Sequence, residues 1–414
     1  MNRLKEEHKV LLDILEYFMH EREGYRLPEN FSSFQELQKL SQEHSVAAIV
    51  YEIIHNDPLL QQGQYAAFGM LWKRMALQGA MLQIQKTGAF LGLYSKLCKA
   101  GLRPLVVKGA VCRNLYAKPD LRISGDEDVL LSRPEFPLCD EILLKEGFTR
   151  DEVDLEHLPH EIPYINQRTG VYIELHLTLF PEEAGAYGHL NNEFEGVFDT
   201  CIQEEIQGVK VWTLEPTLHL FYLICHSFKH FLHSGFGIRQ LCDIVMMAEH
   251  YGSQIRWSYL EQRLQALHMD GFWNGLVDIG QKQLGFSFEK AGYPEYMQKS
   301  VIDGTDLLAD MLAGGVFGDS SMERKHSSNI TLAAAEKGKK NTASSLKASL
   351  FPGMDYMKKN FSWLQKYPFL LPAAWVIRIW RYLKSRKEQQ ASEGNSVEIG
   401  IERVELMKKY GIID

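Results

Sequence analysis

Between residues 101 and 214 the hydrophobic pattern stops repeating at helical spacing and begins to alternate in twos. This change limits the fold more than any other feature of the chain. Alternation puts successive side chains on opposite faces of a strand, whereas helical spacing gathers them on one face. Strands must pair, because their backbone N–H and C=O groups need partners once buried. The strands of this stretch therefore have to meet in a small sheet, which the helical sequence on either side has to cover.

The elements read in order. Pro104-Leu105-Val106-Val107 is a short apolar run that predicts a buried strand, followed by Lys108-Gly109 and a helical stretch to Tyr116. Pro119 to Gly125 reads as a loop, Asp126 to Leu131 as a strand, Pro134 to Glu146 as a helix, and Phe148 opens another strand. Val171 to Leu179 alternates most strongly. It sets Val171, Ile173 and Leu175 on one face, with Tyr172, Glu174 and His176 on the other. A pair of short strands ends at Val209 to Leu214.

Helical spacing dominates elsewhere. Leu11, Leu12, Leu15 and Phe18 share a face, as do Phe34, Leu37 and Leu40, and a long helical pattern from Tyr65 to Lys99 stops at Gly101. Pro216 opens a helix reaching about His233, and Ile238 to His250 and Trp257 to His268 follow. The expected organisation is an N-terminal helical region (1–100), an α/β core (101–214), a helical domain (215–318), a flexible linker (319–349) and a C-terminal helical, aromatic-basic segment (350–414). The linker assignment rests on its small polar residues. The last segment sets Trp363, Tyr367, Trp375, Trp380 and Tyr382 among Arg378, Arg381, Lys384, Arg386 and Lys387. Its apolar stretch Phe369 to Ile377 is too short to span a bilayer, which predicts a helix docked on the rest of the protein.

Charge and cysteine usage narrow the function classes. With 45 basic and 53 acidic side chains the chain carries a net charge of −8, which disfavours a dedicated nucleic-acid binder. The six cysteines form no C-x-x-C pair and suggest neither a zinc ribbon nor a disulfide framework. The N-terminus is charged and amphipathic, and no run of about 18 apolar residues occurs, so the cytoplasm is the expected compartment.

Candidate chemistry centres on Gly125-Asp126-Glu127-Asp128. Residues two apart on a strand share a face, so Asp126 and Asp128 point the same way. Two adjacent carboxylates repel unless a cation neutralises them, which makes the pair a natural ligand set for a hard divalent ion. Glu174 would complete a three-carboxylate cluster if its strand were a neighbour. Lys108-Gly109, between a strand and a helix, could meet phosphate through backbone N–H groups and the lysine charge. Each part taken alone also fits solvated surface acids. The histidines at 219, 226, 230 and 233 recur at intervals that share a helix face. An i, i+4 pair such as His226 and His230 can chelate zinc, but Lys229 between them opposes a metal. A face of His226, Lys229 and His230 near phosphates, or buried histidines satisfied by neighbours, are the other readings. Arg239 and Asp243 are spaced for a structural ion pair within one helix.

This order of elements resembles the nucleotidyltransferase fold superfamily shared by kanamycin nucleotidyltransferase and polymerase-beta-like enzymes. Within it, the chain is most similar to the uncharacterised bacterial nucleotidyltransferases, over roughly residues 30–250. The matching elements are Lys108-Gly109, Arg122, Gly125-Asp126-x-Asp128, Ile173-Glu174-Leu175-His176 and the helix holding His226 and His230. The resemblance implies an α+β fold, with a mixed sheet and helices embedded in a largely helical chain. It further implies metal ligands and catalytic carboxylates at Asp126, Asp128 and Glu174, and magnesium or manganese as cofactor. Nucleotide or phosphate contacts are implied at Lys108, Gly109, Arg122, Gly125, His226, Lys229 and His230. A nucleoside triphosphate would be the donor, and a small molecule, glycan precursor, protein or RNA the acceptor. Two departures stand out. The superfamily usually has Gly-Gly or Gly-Ser where this chain has Lys-Gly, and an apolar residue where it has Glu127. Both would equally suit a non-catalytic nucleotide-binding or regulatory module of the same fold.

Overall fold

Two strands that are far apart in sequence lie side by side at the centre of the molecule: β2 (Glu127–Leu130) runs parallel to β4 (Val171–His176). In the computed structural model, which describes residues 4–61, 63–300, 302–315, 322–337, 354, 357, 361, 363–377 and 393–413, they form the middle of a four-stranded sheet. The short β1 (Leu105–Val106) pairs antiparallel with β2, and β3 (Glu161–Asn166) pairs antiparallel with β4, giving the order β1-β2-β4-β3. The hairpin of β5 (Ile202–Ile206) and β6 (Val209–Thr213) is separate. The fold is mixed α+β, a small mixed sheet within a largely helical chain.

Several boundaries differ from the sequence expectation. Phe148 does not open a strand: Thr149 makes one isolated bridge to Ile165, and the ordered strand waits until Glu161. Asp126 stands one residue before the first residue of β2. A strand end is set by its partner's register, which a single segment does not contain.

The alternation of β4 sorts the two faces of the sheet. Val171, Ile173 and Leu175 are buried with Val129 of β2 against Phe90, Leu91, Tyr94 and Leu97 of the long helix Ala66–Lys99 and against Phe136, Cys139 and Leu143. Tyr94 ties these layers together. Its hydroxyl donates to the Pro104 carbonyl at 2.8 Å and accepts from the Trp212 N–H at 2.8 Å. On the other face, Leu105 and Leu130 join a second core made largely by helices.

That second core is built by both helical regions. Leu11, Ile14 and Leu15 of the N-terminal helix Glu6–Met19 share it with Leu220 and Ile224 of the helix Pro216–Leu232 and with Ile244 of the helix Ile238–Tyr251. Pro216–Leu232 starts where Pro216 predicts. Glu215 caps it by accepting from the Thr217 and Leu218 N–H groups, each at 3.0 Å. Val404, Met407 and Tyr410, on or just past the C-terminal helix Glu393–Lys409, complete the core. Tyr410 lies so close to Gly271 that a Cβ there would meet its carbonyl oxygen at 2.1 Å.

The flexible linker is corrected where it is described. Residues 322–337 form a helix, and Ile330 and Ala334 enter the core against the C-terminal helix. Small residues permitted this close packing, where composition alone had read as linker. The rest of the 319–349 stretch lies outside the described residues. In the C-terminal segment, Trp363 and Trp375 pack on Met357, Phe361, Leu364 and Ala374. Trp380, Tyr382 and the basic residues 378–387 also lie outside the described residues. Among the described residues no helix is long and apolar enough to cross a membrane.

Two buried histidines fasten these layers. His44 accepts from the Ile238 N–H at 3.3 Å, and the His219 Nε2 donates to the Val107 carbonyl at 2.8 Å, holding the end of β1. Burial lowers both from 6.5 to about 4. The unfolded chain therefore binds protons at these sites below about pH 6.5, while the folded chain resists until about pH 4. Stability should fall as pH drops through that window and level off below it. Thermal melts of His219→Gln should show a shallower slope over the same range than the parent.

Candidate active site

Register decides which side chains share the open face of the sheet. Across the parallel pair, Asp128 stands opposite Glu174 and Leu130 opposite His176, while β3 sets Glu161 opposite His176. Period-two alternation leaves Glu174 and His176 on one face. Ligand atoms of Asp128, Glu174 and His176 lie within 4.8 Å of one another, a group that could hold a metal ion. The His176 Nε2 is 3.5 Å from Asp128 Oδ1 and 3.9 Å from Glu174 Oε2, and its Nδ1 is 3.7 Å from Glu161 Oε2.

Asp126 is not in that group. It precedes β2, and its charge acts on Lys108, Glu174 and Arg239 from the end of the loop. Gly125 beside it has open surroundings. His176 is the member that the metal-ligand expectation omitted, and Glu161 stands beside it, outside the group. His176 was visible two residues beyond Glu174, but Glu161 could be found only from the β3–β4 register.

Lys108 enters the cluster from the turn after β1. Its ammonium lies 3.2 Å from Asp128 Oδ2 and 3.3 Å from the His226 Nε2. Burial opposes the charge on Lys108, but Asp128, Asp126 and Glu174 outweigh it and raise the lysine above its ordinary value. Asp128 is the mirror case. Burial would raise it, yet Lys108 and then His176 hold it well below the usual carboxylate range. Glu174 has no such close cation, and burial, followed by the charges of Asp128, Glu161 and Asp126, pushes it up to about 8.

The histidine helix forms the opposite wall. His226 and His230 stack edge to face with ring centroids 4.5 Å apart. Burial first, then neighbouring cations, hold both well below 6.5, so they offer neutral hydrogen-bonding groups rather than charge. Lys229 is also lowered by burial, with Glu161 acting against it. His233 faces elsewhere, with its Nε2 2.7 Å from the Tyr187 hydroxyl.

The turn at Lys108-Gly109 has a different basis from the one its sequence suggested. Glu127, whose side chain points through the sheet, accepts from the Ala110 N–H at 2.7 Å and pairs with Arg113. The first amide of the short helix Ala110–Asn114 is thus committed within the protein and is not presented to phosphate. Gly109 is required here, with φ +60°, because a Cβ would lie 2.0 Å from Glu127 Oε2. The far side of β2 is buried, and Glu127 is the polar group that this turn needs there.

The loop leading to Asp126 is pinned by several side chains. The buried Arg122 directs Nε at Asp243 Oδ1, 3.0 Å away, with a second bond from Nη2 to the other oxygen, and the Tyr116 hydroxyl donates to the same carboxylate at 2.9 Å. Arg122 therefore braces the loop, where a phosphate contact was expected. This also corrects the Arg239–Asp243 pair: Asp243 takes Arg122, and Arg239 donates to the Ile123 carbonyl. Burial, and then the Arg122 charge, lower Arg239 to about 10. Gln83 of the long helix accepts from the Ser124 N–H at 2.9 Å, and Arg113 donates to the Ser124 hydroxyl.

A family model described as an uncharacterised nucleotidyltransferase matches residues 32–275, more than half of the chain. The chain belongs to this nucleotidyltransferase family. The match takes in the sheet, the pinned loop and the histidine helix, and stops before the C-terminal helix. No curated protein and no solved structure matches the chain.

Removing the buried Arg113–Glu127 pair should cost the fold more than it costs the chemistry directly. Glu127→Ala leaves Arg113 buried without its carboxylate and should lower stability by about 3 kcal/mol or more in urea unfolding. Arg113→Ala combined with Glu127→Ala should recover part of that loss, because neither charge is then stranded.

Proposed function

We propose that this chain transfers a nucleoside monophosphate from a nucleoside triphosphate to an acceptor hydroxyl or similar group, with a divalent cation as cofactor. The observation that carries this reading is the in-register juxtaposition of Asp128 and Glu174 on neighbouring parallel strands, with Asp126 one residue before the first of them. The donor set fits a hard cation. The chemistry is largely carboxylate oxygen, the ligand atoms of Asp128, Glu174 and His176 lie within 4.8 Å of one another, and the buried ring nitrogens of His176 have no hydrogen-bond partner. Asp126, Asp128 and Glu174 would hold the ion. Magnesium or manganese bound there would neutralise the carboxylates, acidify the attacking hydroxyl and draw charge from the α-phosphate.

The protein's own groups account for the rest. The acceptor oxygen bonds to the α-phosphorus as the bond to the bridging β-phosphate oxygen breaks. Pyrophosphate departs with the electron pair, and the hydroxyl proton passes to water. Lys108 and Lys229 supply positive charge for the triphosphate, while His226 and His230, neutral at pH 7, orient it by hydrogen bonds. The pinned loop keeps Asp126 in place before substrate arrives, so little reorganisation is needed during reaction. Arg122 supports the loop from below and belongs to the site only through it.

The net charge of −8 favours a small-molecule or protein acceptor over nucleic acid. A non-catalytic module of the same fold drew its sequence support from Glu127 and the Lys-Gly turn. Both have a structural reason here, since Glu127 closes the turn on Arg113 and Ala110.

Calorimetric titration of each magnesium-bound triphosphate should show binding to the parent chain and its loss in the Asp126→Asn, Asp128→Asn double variant. Asp126→Asn should lower transfer of labelled nucleotide by about a hundredfold or more with an unchanged melting profile, whereas Asp128→Asn should lower transfer as far and also reduce stability, because it strands the buried Lys108 charge. A folded parent that binds no triphosphate with either magnesium or manganese would point to the non-catalytic module.

A further inference from the structure

His176 is the one member of the carboxylate cluster that the proposed chemistry leaves without a task. It is 3% exposed, and neither ring nitrogen has a hydrogen-bond partner. A buried imidazole with both nitrogens unmet is costly and calls for an explanation. The ring is hemmed in by acids on both edges. Its Nε2 faces Asp128 Oδ1 at 3.5 Å and Glu174 Oε2 at 3.9 Å, and its Nδ1 faces Glu161 Oε2 at 3.7 Å. These separations exceed the hydrogen-bond range of about 2.7–3.2 Å. Two ligand atoms that each stand about 2.1–2.2 Å from one ion are about 3.0–3.5 Å apart between an octahedral and a tetrahedral angle, so the 3.5 Å from Nε2 to Asp128 Oδ1 is close to the separation that one ion sets.

We propose that the His176 Nε2 binds the same divalent ion as Asp128 and Glu174, making a mixed nitrogen–oxygen centre that takes a first-row transition ion such as manganese in preference to magnesium. The inference rests on the nucleotidyltransferase reading for the presence of a cation, and goes beyond it in naming the ligand and the kind of ion.

Three features of the surroundings agree. Lys108 sits against Asp128 Oδ2, so the other oxygen, the one facing His176, is left for an ion. Glu161 stands at Nδ1, where a carboxylate commonly orients a metal-bound histidine through its second nitrogen. Asp126 lies outside the group of ligand atoms within 4.8 Å of one another, which leaves His176 as the third donor nearest Asp128 and Glu174. Magnesium favours an all-oxygen shell and gives up its water reluctantly, whereas an imidazole ligand shifts preference toward transition ions.

The test uses the full chain with manganese alone. Pulsed electron paramagnetic resonance of the manganese complex should show coupling to a directly bound 14N nucleus, and the pattern should change to that of 15N when the histidines are isotope-labelled. The coupling should vanish in His176→Gln and survive in His226→Gln. Calorimetry should show manganese bound about tenfold or more tighter than magnesium by the parent, with that ratio shrinking in His176→Gln. Manganese bound without nitrogen coupling would overturn the assignment of His176 while leaving a carboxylate-held cation. Coupling that survives in His176→Gln and disappears in His226→Gln would overturn it in favour of the facing helix. A folded parent that binds no manganese would remove the cation itself, and the nucleotidyl-transfer reading with it. Where His176→Gln fails to fold, the isotope comparison read in His226→Gln decides: coupling to labelled histidine that survives there supports His176, and its loss overturns the assignment.

Discussion

The parallel pairing of β2 with β4 is the contact on which the rest of the molecule depends. It sets Asp128 opposite Glu174 and, on the reverse face, brings Val129 together with Ile173 and Leu175 in the core. Because strand side chains alternate, a slip of one residue would turn Glu174 and His176 into the apolar layer and Ile173 and Leu175 toward the cleft. The burial that stabilises the sheet and the geometry that assembles the acids are therefore enforced by the same register. A parallel pair also demands a long crossover. Here the crossover supplies the helix Phe136–Lys145 and then β3, which brings Glu161 to His176.

Charge is concentrated where the chain is most buried. Lys108 with Asp128, Arg113 with Glu127, and Arg122 with Asp243 are ion pairs in which every side chain is nearly inaccessible. Buried pairs of this kind add little net stability over apolar residues of similar volume, yet breaking one strands a charge at high cost. All three converge on a short stretch, from the turn after β1 to the start of β2. They fix the path of the backbone into Asp126 and Asp128 by making most alternatives leave a charge unpaired.

The helical shell has a comparable logic. The histidine helix ends beside the site, and its last carbonyls need partners. Arg403, from the C-terminal helix, donates to the carbonyls of Phe231 and His233, and the Thr331 hydroxyl donates to that of Leu232. Elements beyond the family match thus secure the end of the helix that carries His226, Lys229 and His230. The N-terminal helices pack into the same core, so both ends of the chain steady one wall of the cleft.

Much of this was legible in the sequence because it depends on local rules. The switch from helical to alternating period located the sheet, Pro216 and Gly101 marked helix ends, and the alternation of Val171 to His176 showed which face of β4 would be polar. The D-x-D spacing, with an acid in a second strand, singled out Asp128 and Glu174, which the β2–β4 register sets opposite each other. What the sequence could not supply was partnership across distance. The helical i, i+4 rule paired Asp243 with Arg239, where tertiary packing chose Arg122. Glu127 looked like a departure until the fold set it against Arg113 and the Ala110 amide. The small residues of 322–337 read as linker, since only the C-terminal helix lying against them makes close packing worthwhile. Spacing along one segment determines which way a side chain faces. Which group it meets there depends on loop closure and on the burial of charge across many elements, and only the tertiary structure decides that.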